Sequence, residues 1–266
     1  MMLTWQPMNA STLKTGRIGN KQRQLTMKKQ NVKIRGIFFD WDLTLARVIG
    51  DVTQDERLVA LFQREGLLYG LEEIEAGVQY SLDDYRARFA HEMPKPQTQE
   101  EVTEHYRRIL KYLRHKPVSQ SLLNRLYNGY GQLPVFLYDD AVPTLRALAE
   151  EGLTLGIISN HTRDARRMMQ ELVGEFVPTA QIFISQEMGI HKPTGSIFSM
   201  ALQILDLAPE QCVFVGDSLR ADAIGAVEEG HFQLGLWLDR EESGADMVLP
   251  PGVVRITSLT EVLNFV

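Results

Sequence analysis

An apolar run, Ile37-Phe38-Phe39, stops abruptly at Asp40-Trp41-Asp42-Leu43-Thr44. Consecutive apolar residues of this kind read as a strand buried on both faces, as in parallel sheets covered by helices. Ligands of open α/β sheets bind at the carboxyl ends of the strands. The two carboxylates therefore fall where chemistry is done. One can act as a nucleophile, a second can move protons, and both are hard oxygen donors for a cation.

Further strands are expected at Thr154–Ser159, Gln181–Ser185, Cys212–Asp217 and Leu234–Asp239, after a first at Ile34–Asp40, with helical segments between the later ones. That alternation predicts an α/β fold: a parallel sheet with helices on both faces. A long stretch between the first two strands reads as helical throughout. Leu58, Leu61 and Phe62 share a face; Val78, Leu82, Tyr85 and Phe89, and then Val102, Tyr106, Ile109 and Leu113, each recur at intervals of 4, 3 and 4. Pro94-Lys95-Pro96 and Lys116-Pro117 interrupt these helices, and Thr98 with Glu101 has the form of a capping box. Residues 55–137 are thus expected to form an α-helical domain inserted into a core made of 34–54 and 138–266. Chain enters and leaves the insert by two linkers, which would let it close over the site as a lid.

With 44% hydrophobic residues among 266, the chain has ample material for one large domain with an insert. No stretch approaches the roughly 18 apolar residues of a membrane helix, so no membrane partner is expected. The single cysteine, Cys212, lies in Cys-Val-Phe-Val and is expected to be buried. It excludes an intrachain disulfide framework and fits a reducing, cytoplasmic setting. Residues 1–39 hold eight of the 28 Lys and Arg and no acid, leaving 20 basic against 34 acidic residues elsewhere. The acidic body argues against nucleic acid as a partner. Residues 1–33 read as a basic, disordered extension without the apolar core of a secretory signal; an organellar presequence is the other reading, and Met27 is an alternative start.

Four stations carry chemistry. Asp40-x-Asp42-x-Thr44 follows the first strand. Ile157-Ile158-Ser159-Asn160 ends a second strand in groups able to donate hydrogen bonds to a phosphoryl oxygen. Lys192, in Gly189-Ile190-His191-Lys192-Pro193, can neutralise phosphate charge. Val213-Phe214-Val215-Gly216-Asp217-Ser218, with Asp222 four residues on, ends another strand in acids suited to a hard cation. Each has an ordinary structural reading as a cap, a turn or a surface charge. Their order along the chain is far more specific.

In that order the chain resembles the haloacid dehalogenase (HAD) superfamily of hydrolases. Its four motifs correspond to Asp40-Trp41-Asp42-Leu43-Thr44, Ser159-Asn160, Lys192-Pro193, and Gly216-Asp217-Ser218 with Asp222. Val142 through Gly152 is similar to the helix this family places before its second motif. The resemblance covers roughly residues 34–266 and implies a Rossmann-like parallel sheet with a type-one helical cap at 55–137.

The resemblance also implies roles. Asp40 matches the nucleophile, and Asp42 the general acid/base. Ser159 and Lys192 match the phosphate-binding pair, with Asn160 and Thr44 in supporting phosphate-binding positions. Asp40, Asp217 and the Asp42 backbone carbonyl match the Mg2+ ligands, and Asp222 an acid supporting metal and lysine. Two departures stand out: Leu43 occupies a position that is often Gly, and Gly195 one that is often Pro.

The expected function is magnesium-dependent hydrolysis of a small phosphorylated metabolite through an aspartyl-phosphate. The rivals are a phosphomutase, a 2-haloacid dehalogenase and a non-catalytic binding module. Family dehalogenases generally lack the second acid, which Asp42 supplies here. His161 and His191 flank the site motifs, whereas His91, His105 and His115 are expected at solvated helix positions. Tyr80, Tyr85, Arg86, Arg88 and Tyr106 are available in the insert, but none is diagnostic of a substrate.

Overall fold

The computed structural model describes residues 32–48, 53–89, 96 and 98–266. The expectations for the basic N-terminal extension, for Pro94-Lys95 and for His91 lie outside the described residues, as do the side chains of Tyr85, Arg86, Arg88 and Phe89.

Six strands, β1 (Gly36–Phe39), β4 (Thr154–Ser159), β5 (Ile182–Ile184), β6 (Cys212–Gly216), β7 (Leu234–Leu238) and β8 (Val253–Ile256), form one sheet in the order β5-β4-β1-β6-β7-β8. Every pairing in it is parallel. Phe39 at the end of β1 lies opposite Ile157 of β4 and Val215 of β6. The residues that follow these three strands therefore emerge at one edge of the sheet.

Alternation along the strands sends side chains into two apolar layers. Ile37, Phe39, Ile157, Val213 and Val215 pack with α5 (Ala141–Glu150) and α6 (Ala165–Val173) on one face. Phe38, Ile158, Cys212 and Phe214 pack with α8 (Gly195–Ile204) on the other. Cys212 is buried and its thiol donates to the Ala208 carbonyl. Trp41 is fully buried and packs in the first layer, as expected of a residue that packs rather than lines the cavity.

Among the described residues, four helices lie between β1 and α5: α1 (Gln54–Arg64), α2 (Leu71–Phe89), α3 (Gln99–Tyr112) and α4 (Gln120–Tyr130). Thr53 with Glu56 and Thr98 with Glu101 form complete capping boxes at the starts of α1 and α3. The apolar faces of the four helices meet in their own cluster, centred on Leu61, Phe62, Ile74, Ile109 and Leu126.

The stretch expected to be helical up to residue 137 is shorter than that. After α4 ends at Tyr130, β3 (Val135–Leu137) pairs antiparallel with β2 (Ala46–Val48). Pro134 and the β-branched Val135 disfavour a further helical turn, and the partner strand is supplied from 89 residues earlier, since Arg47 faces Phe136. Arg240 ties this ribbon to the core. Its guanidinium lies 3.8 Å from the centre of the Tyr138 ring, donates twice to Asp140 at 3.0 Å, and donates to the Thr44 carbonyl. No described helix is long and apolar enough to cross a membrane.

Candidate active site

Asp40 continues β1 by one residue: its N–H donates to the Val215 carbonyl at 2.9 Å. The chain then turns sharply, with the amides of Thr44, Leu45 and Ala46 all directed at the Trp41 carbonyl. Leu43 takes a left-handed conformation in this turn, φ +60°, a region that favours Gly. The departure noted in the sequence is therefore a real backbone cost. Thr44 is fully buried beneath the site, and its hydroxyl oxygen accepts the Asp217 N–H at 3.0 Å, binding the first station to the fourth.

The second and third stations are also joined. Asn160 Nδ2 donates to the Lys192 carbonyl at 3.0 Å, and the Lys192 N–H donates to Asn160 Oδ1 at 2.8 Å. Lys192 is 1% exposed, and its Nζ lies 2.7 Å from both Asp40 Oδ1 and Asp222 Oδ1. The Phe214 ring centre is 5.1 Å from the same ammonium. Burial alone would lower the lysine's pKa. The attraction of Asp222 and Asp40 outweighs it and the net shift is upward, so Lys192 stays charged. Burial raises the Asp222 carboxyl, opposed by Lys192 and reinforced by Asp40 and Asp217.

Asp222 stands in a π-helical turn (Leu219–Ile224) that leads into α9 (Gly225–Glu228). Its Oδ2 accepts the Ser218 N–H at 2.9 Å, while Ser218 caps the turn by accepting from Ala221. The capping reading of this segment thus holds for Ser218. Gly216 makes the arrangement possible, since a Cβ there would lie 2.3 Å from the Asp222 carboxylate. Oxygens of Asp40, Asp217 and Asp222 fall within 4.8 Å of one another.

Asp42 lies on the cavity side with 26% of its side chain exposed. Burial pushes its pKa up to about 6; His161 works against the shift, and Asp40 and Asp217 add to it. Its Oδ1 has no hydrogen-bond partner, and Oδ2 is 3.5 Å from His161 Nε2. The Thr162 N–H donates to His161 Nδ1 at 2.7 Å, which leaves Nε2 to carry the ring proton toward Asp42.

A cavity of about 200 Å³ opens over these groups. Asp40, Asp42, Ser159, Asn160, His161 and Asp217 line its floor. Lys192, Asp222 and Thr44 lie behind that floor, in contact with residues that line it. The opposite wall comes from the four inserted helices, through Leu58, Val78, Leu82, Val102, Tyr106 and Tyr130 among others.

The sequence did not single out Tyr127 and Tyr130, although their spacing on α4 puts them on one face. His105 corrects an expectation. It is buried, lines the cavity, and its Nδ1 is 2.8 Å from Ser81 Oγ across the α2–α3 contact. His115 is half-buried and bonded to the Tyr69 hydroxyl. Tyr80 is 40% exposed beside Tyr112 and does not line the cavity.

The family model for haloacid dehalogenase-like hydrolases matches residues 34–230, and the chain belongs to that family. Its relatives include a glyceraldehyde 3-phosphate phosphatase of Methanopyrus kandleri, 30% identical over 133 residues, 48% of this chain and 56% of that one. A phosphoserine phosphatase of Thermus thermophilus is 34% identical over 133 residues, 48% of this chain and 52% of that one. The chain spans about half the length of these curated relatives. Among solved structures, the magnesium-bound HAD-hydrolase YfnB of Bacillus subtilis shares the fold, with a TM-score of 0.65 at 21% identity, covering 88% of this chain and 98% of that one.

Proposed function

We propose that this protein is a magnesium-dependent phosphatase acting on a small phosphorylated metabolite through an aspartyl-phosphate at Asp40, with residues 55–137 as a cap over the core formed by 34–54 and 138–266. The observation that carries this reading is the convergence of Asp40, Asp42, Ser159 and Asp217 on one cavity, with Lys192 held 2.7 Å behind Asp40.

The residues fit a hard divalent cation. Carboxylate oxygens of Asp40 and Asp217 lie close together in a cluster that also includes Asp222, and only one buried ammonium, Lys192, offsets their charge among the described residues. Asp40, Asp217 and the Asp42 backbone carbonyl would hold Mg2+. Bound there, the ion supplies charge neutralisation for the phosphoryl group.

The protein's own groups account for the remaining chemistry. Lys192 engages Asp40 Oδ1 and offsets negative charge that would otherwise repel a carboxylate nucleophile. Asp40 attacks phosphorus, and the ester P–O bond breaks. Asp42, protonated in part because burial lifts its pKa to about 6, gives its proton to the leaving alkoxide. As a carboxylate it then takes a proton from water. The hydroxide attacks phosphorus, the bond to Asp40 breaks and phosphate leaves. The Ser159 hydroxyl donates to a phosphoryl oxygen, while Asn160 holds the Lys192 backbone in place. Buried Cys212 suits a cytoplasmic setting.

Phosphate release from a panel of small phosphate esters, with Mg2+ and then with chelator, tests the reading. Release that needs Mg2+ and vanishes in Asp40→Asn is expected. An active Asp40→Asn enzyme would remove Asp40 as the nucleophile, and release insensitive to chelator would remove the metal.

A further inference from the structure

The floor of the cavity fixes where a phosphoryl group sits, and the opposite wall bears on the rest of the substrate. Leu58, Val78, Leu82 and Val102 bring aliphatic side chains to that wall from α1, α2 and α3. Tyr106 and Tyr130 add aromatic surface, and the Tyr106 ring is fixed edge-on against Phe62 at 6.0 Å.

Among the described residues, the polar groups on this wall do not offer a cation. Burial pushes the His105 pKa down to about 4, so the ring is neutral and is taken up by Ser81. Gln54 is uncharged and Asp55 is an acid. Among the described residues no Lys or Arg lines the cavity. Arg57, close enough to influence Asp42, is 4% exposed and does not line it.

A second anion on the substrate would therefore sit among aliphatic and aromatic groups beside Asp55, with no Lys or Arg among the described lining residues to meet it, an unfavourable arrangement. An uncharged ring would instead gain apolar burial and aromatic contact. The cavity holds about 200 Å³ with the space over the floor included, and because benzene fills an apolar cavity of about 150 Å³, a phosphoryl group leaves room for a body of about one ring. On the phosphatase reading, on which this inference rests, we propose that the substrate is a monophosphate ester with an uncharged, apolar or aromatic body about one ring in size. Esters with a carboxylate or a second phosphate on that body are disfavoured.

The test uses the full chain with Mg2+ and three probes: phenyl phosphate, phosphoserine and phosphoglycolate. Phenyl phosphate is expected to exceed both acids in kcat/KM by about tenfold or more. Equal or better turnover of either acid would overturn the inference while leaving the phosphatase reading intact. If none of the three is hydrolysed, the inference is read from binding, and the phosphatase reading from the wider panel of esters. Calorimetric binding of the same esters to Asp40→Asn then decides the inference by itself: tighter phenyl phosphate supports it, and equal, weaker or absent binding overturns it. Val102→Lys, which places a cation on the wall, is expected to shift the phosphoglycolate to phenyl phosphate ratio about tenfold toward the acid; an unchanged ratio would also overturn the proposal.

Discussion

The side chain of Asn160 and the backbone of Lys192 exchange two hydrogen bonds, of 3.0 and 2.8 Å, although 32 positions separate them in the chain. The amide thus acts as a splint for the loop that carries the buried ammonium. Asn160→Ala is expected to lower kcat about a hundredfold by letting Lys192 drift from Asp40. Thermal stability should change little by comparison. A variant with unaltered kcat would show that Lys192 is placed by other contacts.

Lys192 is wedged between two carboxylates, so removing its charge leaves both uncompensated. Lys192→Met is expected to abolish phosphate release and to cost about 3–5 kcal/mol of stability, the range for breaking a buried ion pair. Lys192→Arg should not rescue activity, because a planar fork cannot replace a compact ammonium in a fully enclosed site. Denaturant unfolding and the phosphate assay together check both outcomes.

Leu43 holds a left-handed backbone directly after the two acids. Gly tolerates this conformation, whereas a β-branched residue is strongly opposed to it. Leu43→Val is expected to be less stable than Leu43→Gly by about 1–2 kcal/mol. The reverse order in chemical denaturation would mean that side-chain packing, not backbone strain, governs this turn.

His105 gives the four-helix region a pH response. Its pKa is held at about 4 in the folded chain, by burial first and by Arg108 second, against an ordinary value of 6.5. Between these values the unfolded chain takes up a proton that the folded chain refuses. The contribution is thus constant above about pH 6.5, and stability is lost as pH falls toward 4, by up to about 1.4 kcal/mol per pH unit. His105→Gln should flatten that part of the profile. Urea unfolding at pH 7.5 and 5.5 on both proteins, compared as a double difference, is the check; parallel profiles would contradict the assignment.

The strands nearest the site were legible because each is an uninterrupted apolar run with a polar stop. Thr154–Ser159 is found with the boundaries its sequence suggests, and the acids and serine at the strand ends fall on the cavity floor as their positions imply. The two-stranded ribbon was not legible. Ala46–Val48 and Val135–Leu137 are three residues each, too short to show a period, and they are defined only by pairing with each other across the inserted helices. β8 escaped for a related reason: Arg255 interrupts its apolar run at the sheet edge. The cavity wall was hidden differently. A helical stripe such as Val78-Leu82 looks the same whether it faces a neighbouring helix or a void, and only the packing of four helices decides. His105 was misjudged likewise, since its burial depends on Ser81 from another helix.

The cavity has a floor built from strand ends and a wall built from a separate run of chain. Changes to Leu58, Val78 or Val102 can therefore alter what fits without moving Asp40 or Lys192. For a lineage with the proposed activity, this means new preferences can be sampled by drift in one segment while the groups proposed to react stay in place. For the bench, it means that a library confined to a few wall positions searches specificity with the chemistry held fixed.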